Sequence, residues 1–292
     1  MKPAPFTYLR PATKSEALDL LDRHQDDDAK IIAGGQSLVP MMNFRMAQPE
    51  ILIDINRISE LAYVTEHDTH IAIGALTRHN DVKSHPLVER YLPLISEAYG
   101  HVAHHTIRNR GTIGGNVAHA DSASEIPAVL STLDASFVIE SASGQRIVEA
   151  DAFFIDVFTT ALEPNELLTE IRVPKPGAGS GSAFEEVSLR KGDFAFASVA
   201  AEITLQGDTI MSARIGIGGI AERAYRARSM EAGLVGTPGG EDVIAALVEA
   251  EISTIEFAAG TGITADYRRD LTRALLERAV TRAITQARGD AR

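Results

Sequence analysis

The sequence predicts a mixed α+β chain in two parts, and three observations carry this. Short β-type apolar runs alternate with short helical segments over the first 176 residues. A stretch rich in proline and glycine follows. Beyond it, longer strands are succeeded by helices. The 292 residues suffice for one large domain or two ordinary ones.

Residues 14–24 read as a helix, with Ala17, Leu18, Leu20 and Leu21 apolar among charged neighbours. Ile31-Ile32-Ala33 reads as a strand that runs into Gly34-Gly35. A second strand is expected at Ile51-Leu52-Ile53-Asp54-Ile55, and a third at Ile71-Ala72-Ile73 after a turn around His67-Asp68. Residues 87–103 place Leu87, Tyr91, Leu94, Ile95, Ala98 and Tyr99 on roughly one side, which predicts a single helix. A second glycine cluster, Arg110-Gly111-Thr112-Ile113-Gly114-Gly115-Asn116, reads as a loop. A helix is expected over 124–132. Strands near 135–140 and 145–148 flank Ser141-Ala142-Ser143-Gly144, a hairpin turn.

The clearest boundary is Pro174-Lys175-Pro176-Gly177-Ala178-Gly179-Ser180-Gly181-Ser182, with two prolines and three glycines. Ala195–Leu205 and Ser212–Gly218 then read as strands of one sheet, and 241–250 and 266–286 as helices. The expected division is a ligand-binding region over 1–176, with subdomains of about 1–60 and 61–176, and a smaller α+β domain over 182–290.

Forty acidic against 28 basic residues give a net charge of −12. Such a surface repels a nucleic-acid backbone, so no nucleic-acid partner is expected. An anionic ligand would need a local site of backbone N–H groups. The chain has no cysteine, which excludes disulfides, thiolate metal sites, cysteine-ligated iron–sulfur clusters and cysteine nucleophiles. Met1-Lys2-Pro3-Ala4-Pro5-Phe6 leads into no long apolar stretch, so neither a signal peptide nor a membrane span is expected. A cysteine-free chain fits the cytoplasm.

Ala33-Gly34-Gly35-Gln36-Ser37-Leu38 follows a strand. Paired glycines permit positive φ and let a ligand approach without meeting a Cβ. Successive N–H groups in such a turn form an anion-binding concavity. Hydrogen bonds to charged oxygens contribute roughly 1.5–3 kcal/mol each, so a few suffice to hold a pyrophosphate. Thr112-Ile113-Gly114-Gly115-Asn116 offers the same glycine pair, with a hydroxyl and an amide beside it. Either motif alone is equally well a ligand-free turn. Neither fits the Rossmann fingerprint or a phosphate loop. Gly216-Ile217-Gly218-Gly219 reads as a strand ending in a turn.

These paired motifs resemble those of the FAD-binding medium subunits of the molybdenum hydroxylases, which include the carbon monoxide dehydrogenase medium subunit and the flavin domain of xanthine dehydrogenase. The flanking residues share the resemblance: Val39-Pro40-Met41-Met42-Asn43-Phe44-Arg45, Ile107-Arg108-Asn109-Arg110-Gly111 and Ala118-His119-Ala120-Asp121. So do Leu189-Arg190-Lys191-Gly192-Asp193-Phe194, Ile217-Gly218-Gly219-Ile220-Ala221 and Tyr267-Arg268-Arg269.

The resemblance implies a two-subdomain FAD-binding fold similar to vanillyl-alcohol oxidase-type (PCMH-type) flavoproteins, followed by a smaller C-terminal domain. It implicates Ala33, Gly34, Gly35, Gln36, Ser37 and Leu38 at the FAD pyrophosphate. It implicates Thr112, Gly115 and Asn116 near the pyrophosphate, ribityl chain and flavin, with Asp121, Lys191 and Phe194 close to the cofactor. It also implies two partner chains: a small [2Fe-2S] subunit that delivers electrons and a large molybdenum-cofactor subunit where substrate is oxidised. The assembly it suggests is a dimer of heterotrimers. The alternative is a stand-alone FAD-dependent oxidoreductase acting on a small organic substrate.

Two departures stand out. Phe194 occupies a position where relatives often have tyrosine, so stacking area is kept and a hydroxyl is lost; the alternative is a core residue. Ser122 stands where proline is frequent. Among other residues, His101 and His105 have helical metal spacing but no carboxylate between them, so no metal is expected. Glu185-Glu186 reads as a solvated pair.

Overall fold

The described residues form three larger sheets, each with its own apolar core, and one two-stranded ribbon, and one cleft is lined from all three larger sheets. The computed structural model describes residues 2–260 and 262–289. The expected outer limits of the two domains, residues 1 and 290, lie outside the described residues.

The first part contains β1 (Thr7–Leu9), α1 (Lys14–Arg23), β2 (Ala29–Ile32), α2 (Leu38–Asn43) and β3 (Ile51–Asp54). The strands form a parallel sheet in the order β1-β3-β2, with Ile51 opposite both Thr7 and Ala29. Thr13 starts α1: its hydroxyl accepts the Glu16 N–H, while the Glu16 carboxylate accepts from Ala12 N–H. Ala17, Leu18 and Leu21 of α1 then pack on Ile53, Ile55 and Ile58.

The second part begins with β4 (Val64–Glu66) and β5 (His70–Gly74). Six short helices follow: α3 (His79–Lys83), α4 (Pro86–Tyr91), α5 (Pro93–Ala98), α6 (His105–Arg108), α7 (Ile113–His119) and α8 (Glu125–Thr132). It ends with β6 (Ser136–Ser141), β7 (Gly144–Glu149), α9 (Ala150–Phe153), β8 (Phe154–Asp156), β9 (Thr159–Thr160) and β10 (Leu167–Pro174). An antiparallel sheet forms in the order β4-β5-β10-β6-β7, and β8 pairs with β9. The single helix expected over 87–103 is two helices. Pro93 has no N–H to continue the first and starts the second at its N-terminal position, where that lack costs nothing. The 141–144 hairpin forms as expected, with Ser141 opposite Gly144.

The third part comprises β11 (Ser180–Ser188), β12 (Ala195–Gln206), β13 (Thr209–Gly218), β14 (Tyr225–Arg226), α10 (Arg228–Leu234), α11 (Glu241–Ile252) and α12 (Ala265–Ala287). Its antiparallel sheet has the order of the sequence. Neighbouring side chains on β11 and β12 point to opposite cores: Ala183, Val199 and Ala201 to the third part, Phe184 and Ala200 to the second. Gly181 lets α12 lie on this sheet, since a Cβ there would sit 2.3 Å from the Ala283 carbonyl oxygen. On the α8 side, a Cβ at Gly216 would sit 2.1 Å from the Thr132 hydroxyl. Gly218 ends β13 and Gly219 turns the chain at φ +78°, as read from the sequence.

Glu185 and Glu186 are not a solvated pair. They lie in β11, where the two sheet faces are both covered. Glu185 is buried and pairs with Arg278 at 3.0 Å and with Arg282. The Glu186 side chain is 1% exposed, 3.8 Å from His101, and burial pushes its carboxyl up to about 7.

Candidate functional site

The cleft has a volume of about 680 Å³, within the range of small-molecule and cofactor sites. The turn between β2 and α2, the N-terminal end of α7, and the turn between β11 and β12 all contribute to its wall. Ala33, Gly34, Gly35, Gln36, Ser37, Leu38, Thr112, Gly115, Asn116, Asp121 and Phe194 line it. Lys191 is exposed and outside the wall.

Two inward ties shape the first turn. Asn56 Nδ2 donates to the Ala33 carbonyl at 2.6 Å, and Gln36 Nε2 donates to the Gly34 carbonyl at 2.9 Å. Gly35 takes φ +71°, a left-handed value open to glycine, and its carbonyl accepts the Val39 N–H that starts α2. The five amide N–H groups from Gly34 to Leu38 meet no acceptor among the described residues. Ser37 precedes α2 without capping it, so its hydroxyl is also uncommitted. A run of unpaired donors curved about a left-handed glycine is an anion-binding concavity.

The second motif differs from the loop that the sequence suggested. Residues 113–119 are helix α7, and Thr112 is its N-cap, accepting the Gly115 N–H at 3.1 Å. The amides of Ile113 and Gly114 donate to the carbonyls of Thr77 and Ala75, and that of Asn116 to Thr112. This segment therefore offers no run of free amides. Gly114 is there for packing, because a Cβ would lie 2.4 Å from the Ala75 Cβ. What α7 presents to the cleft is bare backbone at Gly115 and one side chain. Asn116 Nδ2 donates to Ser124 Oγ at 2.8 Å, while its buried Oδ1 has no partner. That acceptor is left unpaired by the described residues.

Asp121 accepts the Ala123 N–H at 3.0 Å and caps the turn that leads into α8. Phe194 is 62% exposed, so it is cleft wall rather than core. Its turn is seated by Gly192, whose φ is +87° and whose Cβ would meet the Ala103 carbonyl oxygen at 2.9 Å.

The wall residues that sequence reasoning missed include His79, His119, Glu125 and Phe158. Glu125 opens α8 yet is only 5% exposed, and burial together with the Glu186 charge pushes its carboxyl up to about 8. Burial lowers His79 to about 4, with help from Arg108 and Arg78, and burial lowers His119. At neutral pH Glu125 is thus protonated and His79 neutral. The signal for Glu125 was a charged residue inside the apolar face of the 124–132 helix. His119 and Phe158 have ring centroids 4.8 Å apart. Backbone strain gathers here too. Ala103, Ala120 and Phe158 have φ of 42°, 51° and 55°, and the Phe158 N–H donates to the Ala120 carbonyl.

His101 faces Glu186 and Phe184, whereas His105 lies beside Asn80, so the two do not converge. Among the described residues no group of three or more histidines and acids lies within reach of one metal ion.

Residues 4–176 match the family model described as FAD binding domain in molybdopterin dehydrogenase, and residues 182–283 match CO dehydrogenase flavoprotein C-terminal domain. The chain is 41% identical to the 6-hydroxypseudooxynicotine dehydrogenase complex subunit alpha of Paenarthrobacter nicotinovorans, over 99% of this chain and 97% of that one. It is 40% identical to the carbon monoxide dehydrogenase medium chain of Hydrogenophaga pseudoflava, over 97% and 98%. It superposes with a TM-score of 0.93 and 41% identity on a solved chain of the Hydrogenophaga pseudoflava carbon monoxide dehydrogenase that lacks the Mo-pyranopterin moiety, covering 97% of this chain and 98% of that one. With both halves of the chain matched and the fold shared from end to end, the protein belongs to the FAD-binding medium subunits of the molybdenum hydroxylases, a family of oxidoreductases.

Proposed function

We propose that this chain holds FAD in the cleft and works as the electron-exit subunit of a molybdenum-dependent dehydrogenase. The observation that carries the reading is the run of five unpaired amides from Gly34 to Leu38, residues that all line the cleft of an otherwise acidic protein. The residues fit the cofactor. The amides and the Ser37 hydroxyl match a diphosphate in charge and number of donors. Asn116 Oδ1 matches a donor on the polyol or the ring system. Neutral groups, protonated Glu125 among them, suit an uncharged ring better than a charged wall would. Asp121 and Phe194 complete the wall, and Lys191 stands outside it.

When bound, FAD supplies the ability to exchange electrons both singly and in pairs. The chain binds and orients the cofactor, and Phe158 and Phe194 add aromatic surface to the wall. With no cysteine it has no thiolates to ligate a cluster. Likeness to subunits of dehydrogenase complexes supports electrons reaching it from [2Fe-2S] clusters of a small partner subunit and leaving to an external acceptor. Substrate is oxidised in a large molybdenum subunit. Fixed centres must be held close, so the interface with the partners buries on the order of 1,000 Å² or more, and the complex is a dimer of heterotrimers. The functional division follows residues 1–176 for the cofactor and 182–290 for the C-terminal domain. Among the described residues no helix is long and apolar enough to cross a membrane, and the cytoplasm is the proposed location.

The test is co-expression with candidate partner subunits, followed by gel filtration, mass spectrometry and an absorption spectrum. The expected product is a flavin-containing complex whose flavin is reduced through the clusters. A chain that stays alone beside its partners and oxidises a small organic molecule with its own FAD would establish the stand-alone enzyme instead.

A further inference from the structure

A side-chain bridge ties the two glycine motifs together from behind the cleft. Arg78 follows β5, where its backbone pairs with Thr112, and the adjacent His79 N–H donates to the Gly111 carbonyl at 3.1 Å. The half-buried guanidinium reaches in two directions. Nη1 donates to the Arg110 carbonyl in the second motif, and Nη2 donates to Asn56 Oδ1 at 2.8 Å. Asn56 passes the connection on: its Nδ2 donates to the Ala33 carbonyl at 2.6 Å and to Asp54 Oδ1 at 2.7 Å. Asp54 is held in turn by its own bond from the Asn56 N–H and by the Tyr8 hydroxyl. Both hydrogen-bond acceptors of Arg78 are neutral carbonyl oxygens, while the charges of Asp81 and Asp54 act on it from nearby.

We infer that Arg78 and Asn56 are a positioning pair, setting the separation of the β2–α2 turn from α7 and hence the affinity for a dinucleotide whose diphosphate lies against that turn. The inference rests on the FAD reading above. Neither side chain lines the cleft, so both act through the turn and the segment before α7. The chemistry requires these residue types. A guanidinium presents two donors in one rigid plane, which a lysine cannot do. An amide accepts from Arg78 and donates to Ala33 at once; a carboxylate would keep the first bond, lose the second and repel Asp54.

Arg78→Lys and Asn56→Asp, made in the full chain, test this with two measurements. The first is hydrogen–deuterium exchange of the cofactor-free proteins. Peptides around Val39–Asn43 and Gly111–Gly114 should exchange faster in both variants, while β12 and β13 stay protected. The second is titration with FAD and with riboflavin, which lacks the diphosphate. FAD affinity should fall about tenfold or more, as for the loss of one hydrogen bond to a charged group, and riboflavin affinity should fall by a smaller factor. Unchanged exchange in both motifs would overturn the inference. So would faster exchange with unchanged FAD affinity, and so would equal losses for FAD and riboflavin accompanied by loosening of β12 and β13. A wild-type chain that binds no FAD would sink the proposed function instead, and the exchange measurement would still decide whether the bridge holds the two motifs together.

Discussion

Gly34 and Gly111 meet backbone to backbone: a Cβ on Gly34 would stand 2.6 Å from the Gly111 Cα and 2.5 Å from the Arg110 carbonyl oxygen. Neither neighbour is a flexible side-chain tip, so the turn and the segment before α7 would have to part. Gly34→Ala should cost about 1–3 kcal/mol as an overpacking change, and it should lower FAD affinity by more than that loss of stability explains. Thermal melting and an FAD titration of the folded variant check this. Wild-type affinity would show that the close approach does not shape the cleft.

Gly35 and Gly115 are predicted to fail for different reasons. At Gly35 a side chain meets φ +71°, which costs roughly 1–2 kcal/mol for an L-residue. At Gly115 the backbone is helical, but a Cβ would lie 2.8 Å from Thr112 Oγ1 and disturb the cap, worth about 1 kcal/mol. Gly35→Val and Gly115→Val should both emerge largely free of flavin. If both purified proteins bind FAD as tightly as wild type, the two motifs do not share one ligand.

Phe194 is mostly exposed, so Phe194→Ala should leave stability within about 0.5 kcal/mol of wild type. Flavin fluorescence and the rate of reduction by a one-electron donor should nevertheless change, and Phe194→Tyr should be mild because the ring is retained. An unaltered flavin spectrum, fluorescence and reduction rate in the alanine variant would remove Phe194 from the cofactor's surroundings.

Glu125 predicts a pH dependence of cofactor-free stability. Its carboxyl is raised from 4.5 to about 8 in the fold, by burial first and by Glu186 second; Asp121 raises it further and a backbone hydrogen bond opposes. The folded state therefore binds the proton more tightly than the unfolded chain. The stabilisation is fully present below about pH 4.5 and is lost as pH rises toward 8. Glu125→Gln removes that slope. At pH 8 the variant should melt at least about 2 °C above wild type, with the difference shrinking as pH falls. A parallel pair of melting curves between pH 5 and 8, in buffers of about equal ionic strength, would count against a buried protonated carboxyl.

Much of the fold was legible where a period survives. The helix over residues 14–24, the strands at Ile51–Asp54 and Ala195–Gln206, and the hairpin at Ser141–Gly144 each carry their pattern in a few neighbouring residues. β10 and β11 do not. Glu170 and Arg172 interrupt β10, and they are tolerated because Tyr63 donates to Glu170 and Arg172 pairs with it. Glu185 and Glu186 hide β11 in the same way, being matched by Arg278, Arg282 and His101 from distant segments. The first glycine motif could be found because its donors are consecutive. The second was read as a loop because Gly114 and Gly115 look like turn residues, when Gly114 is there to let α7 press against Ala75. His79, Glu125 and Phe158 come to the wall from segments with no motif of their own, and only the tertiary fold brings them there.

The turn that carries Phe194 is made by the ribosome after both glycine motifs. While residues up to Pro174 are outside the exit tunnel, the free amides of Gly34–Leu38 and the orphan Asn116 Oδ1 already exist, but the wall opposite them does not. The cleft acquires that wall only when β11 and β12 pair and Gly192 seats against Ala103. FAD should accordingly be captured only by chains in which that turn has formed. Ribosome-stalled chains ending before Ser180 should release FAD readily, whereas chains extended past Gly218 should retain it.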